Sequence, residues 1–144
     1  MSHSLTRIWI HGIWATKERH PFIQEGIENV IYDFLYDEFK DSNCPARIIN
    51  GIPDHVHALF LLNPLLPLAK VLKQVKGCSS HTINKEELTP DRFCWQTGYA
   101  AYSVSESQVE KVFQYIKDQK RHHQNKTFEE EYEELARLHG IPNY

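Results

Sequence analysis

Three observations predict an α+β fold of the ferredoxin-like α/β plait type, an antiparallel sheet with helices packed on one face. Strand-like and helix-like runs follow one another in the order β-α-β-β-α-β, a Pro53-Asp54 turn joins the two middle strands, and apolar residues recur at helical spacing in between. Residues 5 to 16 (LTRIWIHGIWAT) are rich in β-branched and aromatic side chains and read as the first strand. After Pro21, the residues Ile27, Val30, Ile31, Phe34 and Leu35 form the stripe of an amphipathic helix that runs to about Asp41. Residues 46 to 52 and 55 to 62 are two β-type runs whose short connection predicts a hairpin.

Pro64 and Pro67 then open a second helix, with Leu68, Ala69, Leu72 and Val75 on one face, a break permitted at Gly77 and continuation through Ile83. Residues 94 to 104 (CWQTGYAAYSV) predict the last strand or strand pair, with Gly98 as a bulge or close approach. Ser105 with Gln108, or Ser107 with Glu110, fits a capping box before a helix striped by Val109, Val112, Phe113 and Ile116. Thr127 with Glu130 repeats that signal for a short acidic tail helix over 127–144, ended by Gly140 and Pro142.

At 144 residues the chain fits one domain, 1–144, and its 41% hydrophobic content, with many aromatics, suffices for a packed core and excludes disorder. The longest uncharged apolar run, Val56 to Ala69, is interrupted by Asn63, Pro64 and Pro67, so no membrane span is expected. The amino terminus lacks a secretory pattern, which predicts a cytoplasmic protein. Cys44, Cys78 and Cys94 are too widely spaced for a CxxC zinc site and are expected as thiols. The net charge of −3 argues against nucleic-acid binding until its distribution is considered. Acidic residues concentrate in the tail, whereas Lys70, Lys73, Lys76 and Lys85 occur with no acid between them, and Lys111, Lys117, Lys120, Arg121 and Lys126 face only Asp118. Such basic faces can meet phosphates, although ordinary solvated helix faces look the same.

His55 and His57 stand two apart at the start of an otherwise apolar strand. Their side chains point to one side, roughly 6.6 Å apart along the strand, so both imidazoles can converge on one divalent ion. Desolvating two imidazoles among apolar neighbours favours a polar site over simple packing, but histidines bonded to water or carbonyls at a strand end remain the competing interpretation. Tyr115 and Gln119 lie four apart, off the apolar stripe of their helix, in a polar band with Gln108, Lys111, His122 and Lys126. A boundary tyrosine alone is commonplace; beside a cation it becomes a nucleophile able to conserve a phosphodiester bond as a phosphotyrosine ester. A metal ion would polarise the phosphate, and the Gln119 carbonyl oxygen would complete its coordination and favour Mg²⁺ over a purely nitrogenous site.

These residues resemble the HUH single-tyrosine transposases of the IS200/IS605 type and their REP-associated relatives. The likeness rests on segments in order: 14–21, Pro53-Asp-His-Val-His57 as the HUH motif, 75–80, 95–99 with 102–104, the tyrosine segment 115–123, and the tail at 128–132 with Gly140-Ile141. The resemblance implies a transposase that cuts and rejoins single-stranded DNA through a 5′-phosphotyrosine and leaves a free 3′-OH. Tyr115 is then the nucleophile, and His55, His57 and Gln119 are the ligands of Mg²⁺ or Mn²⁺. It further implies a homodimer, as in the similar proteins whose tyrosine helix reaches the partner's HUH site, with Tyr115 acting either in cis or in trans, and binding to hairpins at the element's ends. The acidic tail departs from a DNA-binding surface and is expected to lie off the DNA path. Arg7, Lys17, Arg19, Lys76, Lys111 and Arg121 are candidate DNA contacts. Trp9, Trp14, Trp95, Tyr99 and Tyr102 are candidate base-stacking residues, with core packing the alternative for most. Ser79, Ser80 and His81 are adjacent on a helix and do not face one another, which argues against a hydrolase triad. The rival functions are a domesticated, non-cleaving DNA-hairpin-binding protein and a metal-dependent phosphodiesterase that uses water.

Overall fold

A computed structural model describes residues 4–140. Strand β1 (Trp9–Ala15) is followed by helix α1 (Glu28–Asp41), strands β2 (Ala46–Ile52) and β3 (His55–Leu61), helix α2 (Leu68–Lys85) and strand β4 (Ala100–Val104). Among the described residues, three α-helices follow: α3 (Val109–Lys117), the single turn α4 (Gln119–His122) and α5 (Phe128–Leu138). The strands form one sheet in the order β2-β3-β1-β4, with every neighbouring pair antiparallel. That is the plait predicted from the element order.

Alternation along β1 assigns the two faces. Ile10 and Trp14 join Val56, Ala58 and Phe60 of β3 in a core closed by Ile31, Leu35 and Phe39 of α1 and by Val71, Leu72 and Val75 of α2. Each such fully buried large side chain contributes on the order of 1.5–3 kcal/mol of transfer free energy, so this face supplies most of the stability. The intervening residues, Trp9, His11, Ile13 and Ala15, point to the opposite face, as do His55, His57 and Leu59 through their pairing with Ala15, Ile13 and His11. There α3 covers Trp9 and Leu59 with Val109 and Ile116, while α5 packs Phe128 against Ile13, Ala15 and Tyr102. The two plait helices thus share one face, and the helices after β4 enclose histidines on the other.

Pro53-Asp54 forms the predicted turn between β2 and β3, and Gly51 makes it possible. A Cβ on Gly51 would lie 2.1 Å from the His55 carbonyl oxygen and 2.9 Å from Val56 Cα. The exit of β1 pins the same turn: Thr16 donates its N–H to the Asp54 carbonyl at 2.9 Å, and Ile23 donates to the Pro53 carbonyl at 3.0 Å.

Several local expectations change. The region 94–104 yields a strand only from Ala100, with Trp95 making an isolated bridge to Thr16. The Lys76 ammonium donates to the carbonyls of Gln96 and Gly98, both at 2.8 Å, and so diverts them from a ladder. Helix α2 passes through Gly77 without a break. Neither serine box forms before α3: the Ser105 and Ser107 hydroxyls lie 3.2 Å from each other instead. The Thr127 cap does form, its hydroxyl oxygen accepting from the Glu130 N–H at 3.2 Å. Gly140 ends the tail with φ of 70°, while Ile141 and Pro142 lie outside the described residues. Cys44, Cys78 and Cys94 are free, and among the described residues no helix is long and apolar enough to cross a membrane.

Candidate active site

His55 and His57 are both fully buried on the face beneath α5. The strand pleat places them side by side, with ring centroids 5.3 Å apart. Tyr115 approaches from α3, its ring centroid 5.8 Å from that of His57 and 6.1 Å from that of His11. Gln119, one turn on, is fully buried. All four residues singled out from the sequence therefore meet within one chain.

Asn50 explains this placement. It lies across from His57 in the ladder, and its amide donates to the carbonyls of Ile116 at 3.0 Å and Lys117 at 3.1 Å. Lys120 in turn donates to Asn50 Oδ1 at 2.9 Å and to the Gly51 carbonyl at 3.2 Å. The carbonyls freed at the end of α3 are thereby tied to the strand beside the histidines.

What joins the residues is Glu131, which the sequence reading leaves in a solvated acidic tail. Its side chain is 2% exposed. Oε1 lies 2.8 Å from His57 Nε2, 3.1 Å from His123 Nε2 and 3.3 Å from His55 Nε2. Oε2 accepts the Tyr115 hydroxyl and the Gln119 amide, the latter at 3.0 Å. The tail accordingly does not lie clear of the site. Helix α5 carries Phe128 and Leu135 against the sheet, and Glu131, three residues after the first and four before the second, shares that inward face.

Burial opposes ionisation of the Glu131 carboxyl, but hydrogen bonds from His123, His55 and His57 outweigh it and hold the group well below the carboxylate range. Burial first, and the Glu131 carboxylate second, push the Tyr115 phenol well above its ordinary value, so it stays protonated in this arrangement. Burial lowers His57 to about 4. Burial also opposes charging of His55, yet hydrogen bonds with Asp54 and Glu131 prevail and raise it.

The ligand atoms of His55, His57, His123 and Glu131 lie within 4.8 Å of one another. That span is close to the roughly 4 Å diameter of a coordination sphere built on bonds of about 2.0–2.1 Å. The donor set fits a divalent cation on a second ground: Gln119 Oε1 is buried without a hydrogen-bond partner.

Sequence reasoning missed three members. His11, Nε2 at 2.8 Å from His57 Nδ1, is signalled by alternation with Trp9 and Ile13 on an inward strand face. His123 stands four residues after Gln119, on the Tyr115–Gln119 side of the segment. Glu131 is signalled by its place in the Phe128–Leu135 stripe.

The candidate DNA contacts fare differently. Lys17 and Lys111 are exposed, while Arg7 pairs with Glu106 at 3.0 Å, Arg19 with Glu129 and Arg121 with Asp118 at 3.1 Å. Lys76 is engaged by the two carbonyls described above. Trp9, Trp14, Trp95 and Tyr102 are buried, and Tyr99 is partly exposed beside the Lys76 ammonium.

Comparison with known proteins supplies the context. The family model described as "Transposase IS200 like" matches residues 4–119. The ISDra2 transposase TnpA of Deinococcus radiodurans is 27% identical over 115 residues, covering 76% of this chain and 81% of that protein. A crystal structure of a transposase from Deinococcus radiodurans superposes with a TM-score of 0.64 at 26% identity, covering 81% of this chain and 93% of the other. The REP-associated tyrosine transposase bound to a REP hairpin shares the fold, with a TM-score of 0.61 at 12% identity over 85% of this chain and 74% of that one. With its plait, its histidine pair and a family match over most of its length, the chain belongs to the IS200-like transposase family.

Proposed function

We propose that this protein cleaves and rejoins single-stranded DNA at insertion-sequence ends through a 5′-phosphotyrosine on Tyr115. One observation carries the reading: a single carboxylate, that of Glu131, receives the Tyr115 hydroxyl and the Gln119 amide on one oxygen and faces His57 and His123 with the other. Two oxygens on one centre is also what a backbone phosphate presents, so the carboxylate occupies a place suited to the scissile group.

His55, His57 and Gln119 would hold Mg²⁺ or Mn²⁺, whose Lewis acidity polarises phosphate oxygens and stabilises charge on the leaving oxygen. The Tyr115 oxygen attacks phosphorus and releases its proton to solvent, the bond to the 3′ oxygen breaks with its electron pair, and that oxygen takes up a proton from solvent to become the 3′-OH. Rejoining reverses these steps and restores the phenol. For the attack to begin, Glu131 must withdraw, because it competes with phosphate for the same groups and holds the phenol protonated. Asn50 keeps the end of the tyrosine helix against the histidine strand during this exchange.

A homodimer, hairpin recognition at the element's ends and a cytoplasmic location accompany this proposal. Membership in the family supports them, as does the fold shared with a transposase bound to a REP hairpin. The second reading, a non-cleaving hairpin-binding protein, is favoured by Glu131 standing in the site. Incubating the full chain with single-stranded DNA carrying a matching element end and Mg²⁺ or Mn²⁺ separates them. The expected result is a covalent protein–DNA band that is lost in Tyr115→Phe and on chelation. Hairpin binding indifferent to chelator, with no adduct on any strand, establishes the second reading, and cleavage without a retained strand points to a water-using phosphodiesterase.

A further inference from the structure

We propose that His123 and Glu131 join His55 and His57 as metal ligands, giving this chain a closed centre of three imidazoles and one carboxylate that selects Zn²⁺ or Co²⁺ over Mg²⁺. The inference rests on the metal-dependent reading above and deepens it: both added ligands lie beyond residues 4–119, the extent of the family match. Gln119 belongs to the working site, and Glu131 to the resting one.

Three imidazole Nε2 atoms surround a single oxygen, Glu131 Oε1, at 2.8, 3.1 and 3.3 Å. On each ring the other nitrogen is engaged. His55 Nδ1 lies 2.8 Å from Asp54 Oδ1, His57 Nδ1 lies 2.8 Å from His11 Nε2, and His123 Nδ1 lies 2.6 Å from the Lys126 carbonyl oxygen. Metal-binding histidines are commonly oriented in this way, by a carboxylate, a carbonyl or another polar group on the far nitrogen. The Lys126 carbonyl only accepts, so His123 Nδ1 carries a proton and Nε2 is the nitrogen left to face a metal ion. The Asp54 carboxylate orients His55 likewise and leaves its Nε2 facing Glu131 Oε1 at 3.3 Å. Three Nε2 atoms and one carboxylate oxygen thus converge within 4.8 Å in a buried space, where a cation would replace the protons they share. Three nitrogens and one carboxylate oxygen match the four-coordinate preference of Zn²⁺, whereas Mg²⁺ favours six oxygen ligands, several of them water.

The test is a titration of the full, metal-free chain with Co²⁺, read by visible absorption, together with X-ray absorption of the Zn²⁺-loaded protein. Expected are one equivalent of Co²⁺ with the intense bands of a four-coordinate ion, a zinc shell of three imidazoles and one carboxylate oxygen, and no displacement by excess Mg²⁺. His123→Ala and Glu131→Gln should each weaken Co²⁺ binding about tenfold or more, since even outer-sphere partners change metal affinity by about 10–100-fold. Glu133→Gln, exposed on the same helix, should leave it unchanged. Two imidazoles in the zinc shell, or a weak six-coordinate spectrum insensitive to His123→Ala but lost in His55→Ala, overturns this inference and leaves the proposed function standing. Absence of binding by the unsubstituted chain, or binding indifferent to His55→Ala, overturns both. The zinc shell of the unsubstituted chain decides the matter if a variant fails to fold.

Discussion

The Asn50 amide donates to the main-chain carbonyl of Ile116 at 3.0 Å, so the residue opposite His57 in the sheet grips the helix one position beyond Tyr115. Strand and helix are thereby held in register by a side chain that touches neither reacting group. Asn50→Ala removes this grip and leaves the helix-end carbonyls unpaired, a loss of about 1–3 kcal/mol where they are buried. Misplacement near 1 Å can lower a reaction by about 10²-fold. The expected outcome is a folded protein that forms the Tyr115 adduct on the order of 10²-fold more slowly while hairpin affinity changes little. A parallel fall in hairpin affinity, or unchanged adduct kinetics, would show that Asn50 does not position the tyrosine.

Gly51 makes a second, sharper prediction. Gly51→Ala places a methyl group 2.1 Å from the His55 carbonyl oxygen, and the neighbouring atom is backbone, so the hairpin itself must move. The His55 position moves with it. The variant is expected to lose several kcal/mol of stability, in the range of overpacked cores or more, and to bind divalent metal more weakly even at temperatures where it remains folded. Denaturant titration and a metal titration check the two parts separately; normal metal affinity in the folded variant would uncouple the turn from the site.

The plait, the hairpin, and the pairing of His55 with His57 and of Tyr115 with Gln119 on one face each were legible because each depends on a local period, two in a strand and about 3.6 in a helix, while their meeting was legible only through the family resemblance. The remainder of the site was hidden by composition. Glu131 sits in a run of glutamates whose bland meaning is a wet helix face, and only its spacing from Phe128 and Leu135 betrays it. His123 falls among the basic residues of 111–126, which hides that it lies a turn beyond Gln119. Lys76 was legible as a cation but not as a clamp, since its partners are carbonyls about twenty residues away, brought near by tertiary packing alone.

Acid should weaken the metal-free fold. An unfolded histidine titrates near 6.5, whereas burial holds His57 at about 4 in the folded chain. Below the unfolded value the unfolded state binds more protons, so the stability contributed by a neutral His57 is complete above about 6.5 and is lost as pH falls through about 4. That loss is at most about 3 kcal/mol. His55, raised by Asp54 and Glu131 against its burial, acts with the opposite sign, contributing below 6.5 and losing that contribution as pH rises through its folded value. In chelator, the denaturation midpoint is therefore expected to drop between pH 6.5 and 4, and His57→Gln to flatten that limb. A midpoint that rises on acidification would mean that His57 is already protonated in the folded chain.

The Glu131 carboxylate gives the phenol its own pH signature. Burial and then Glu131 raise the Tyr115 hydroxyl above its ordinary value, because ionising it would set two negative charges on one hydrogen bond. Glu131→Gln keeps the shape and a hydrogen-bonding group but removes one of those charges. At metal concentrations that saturate the variant, where any weaker coordination no longer matters, adduct formation should quicken by about tenfold for each unit by which the phenol falls. The alkaline limb of its pH profile should move to lower pH. If instead the variant is slower and its limb unmoved, the carboxylate is the acceptor of the tyrosine proton and remains in place during attack, which contradicts the withdrawal that the proposed reaction requires.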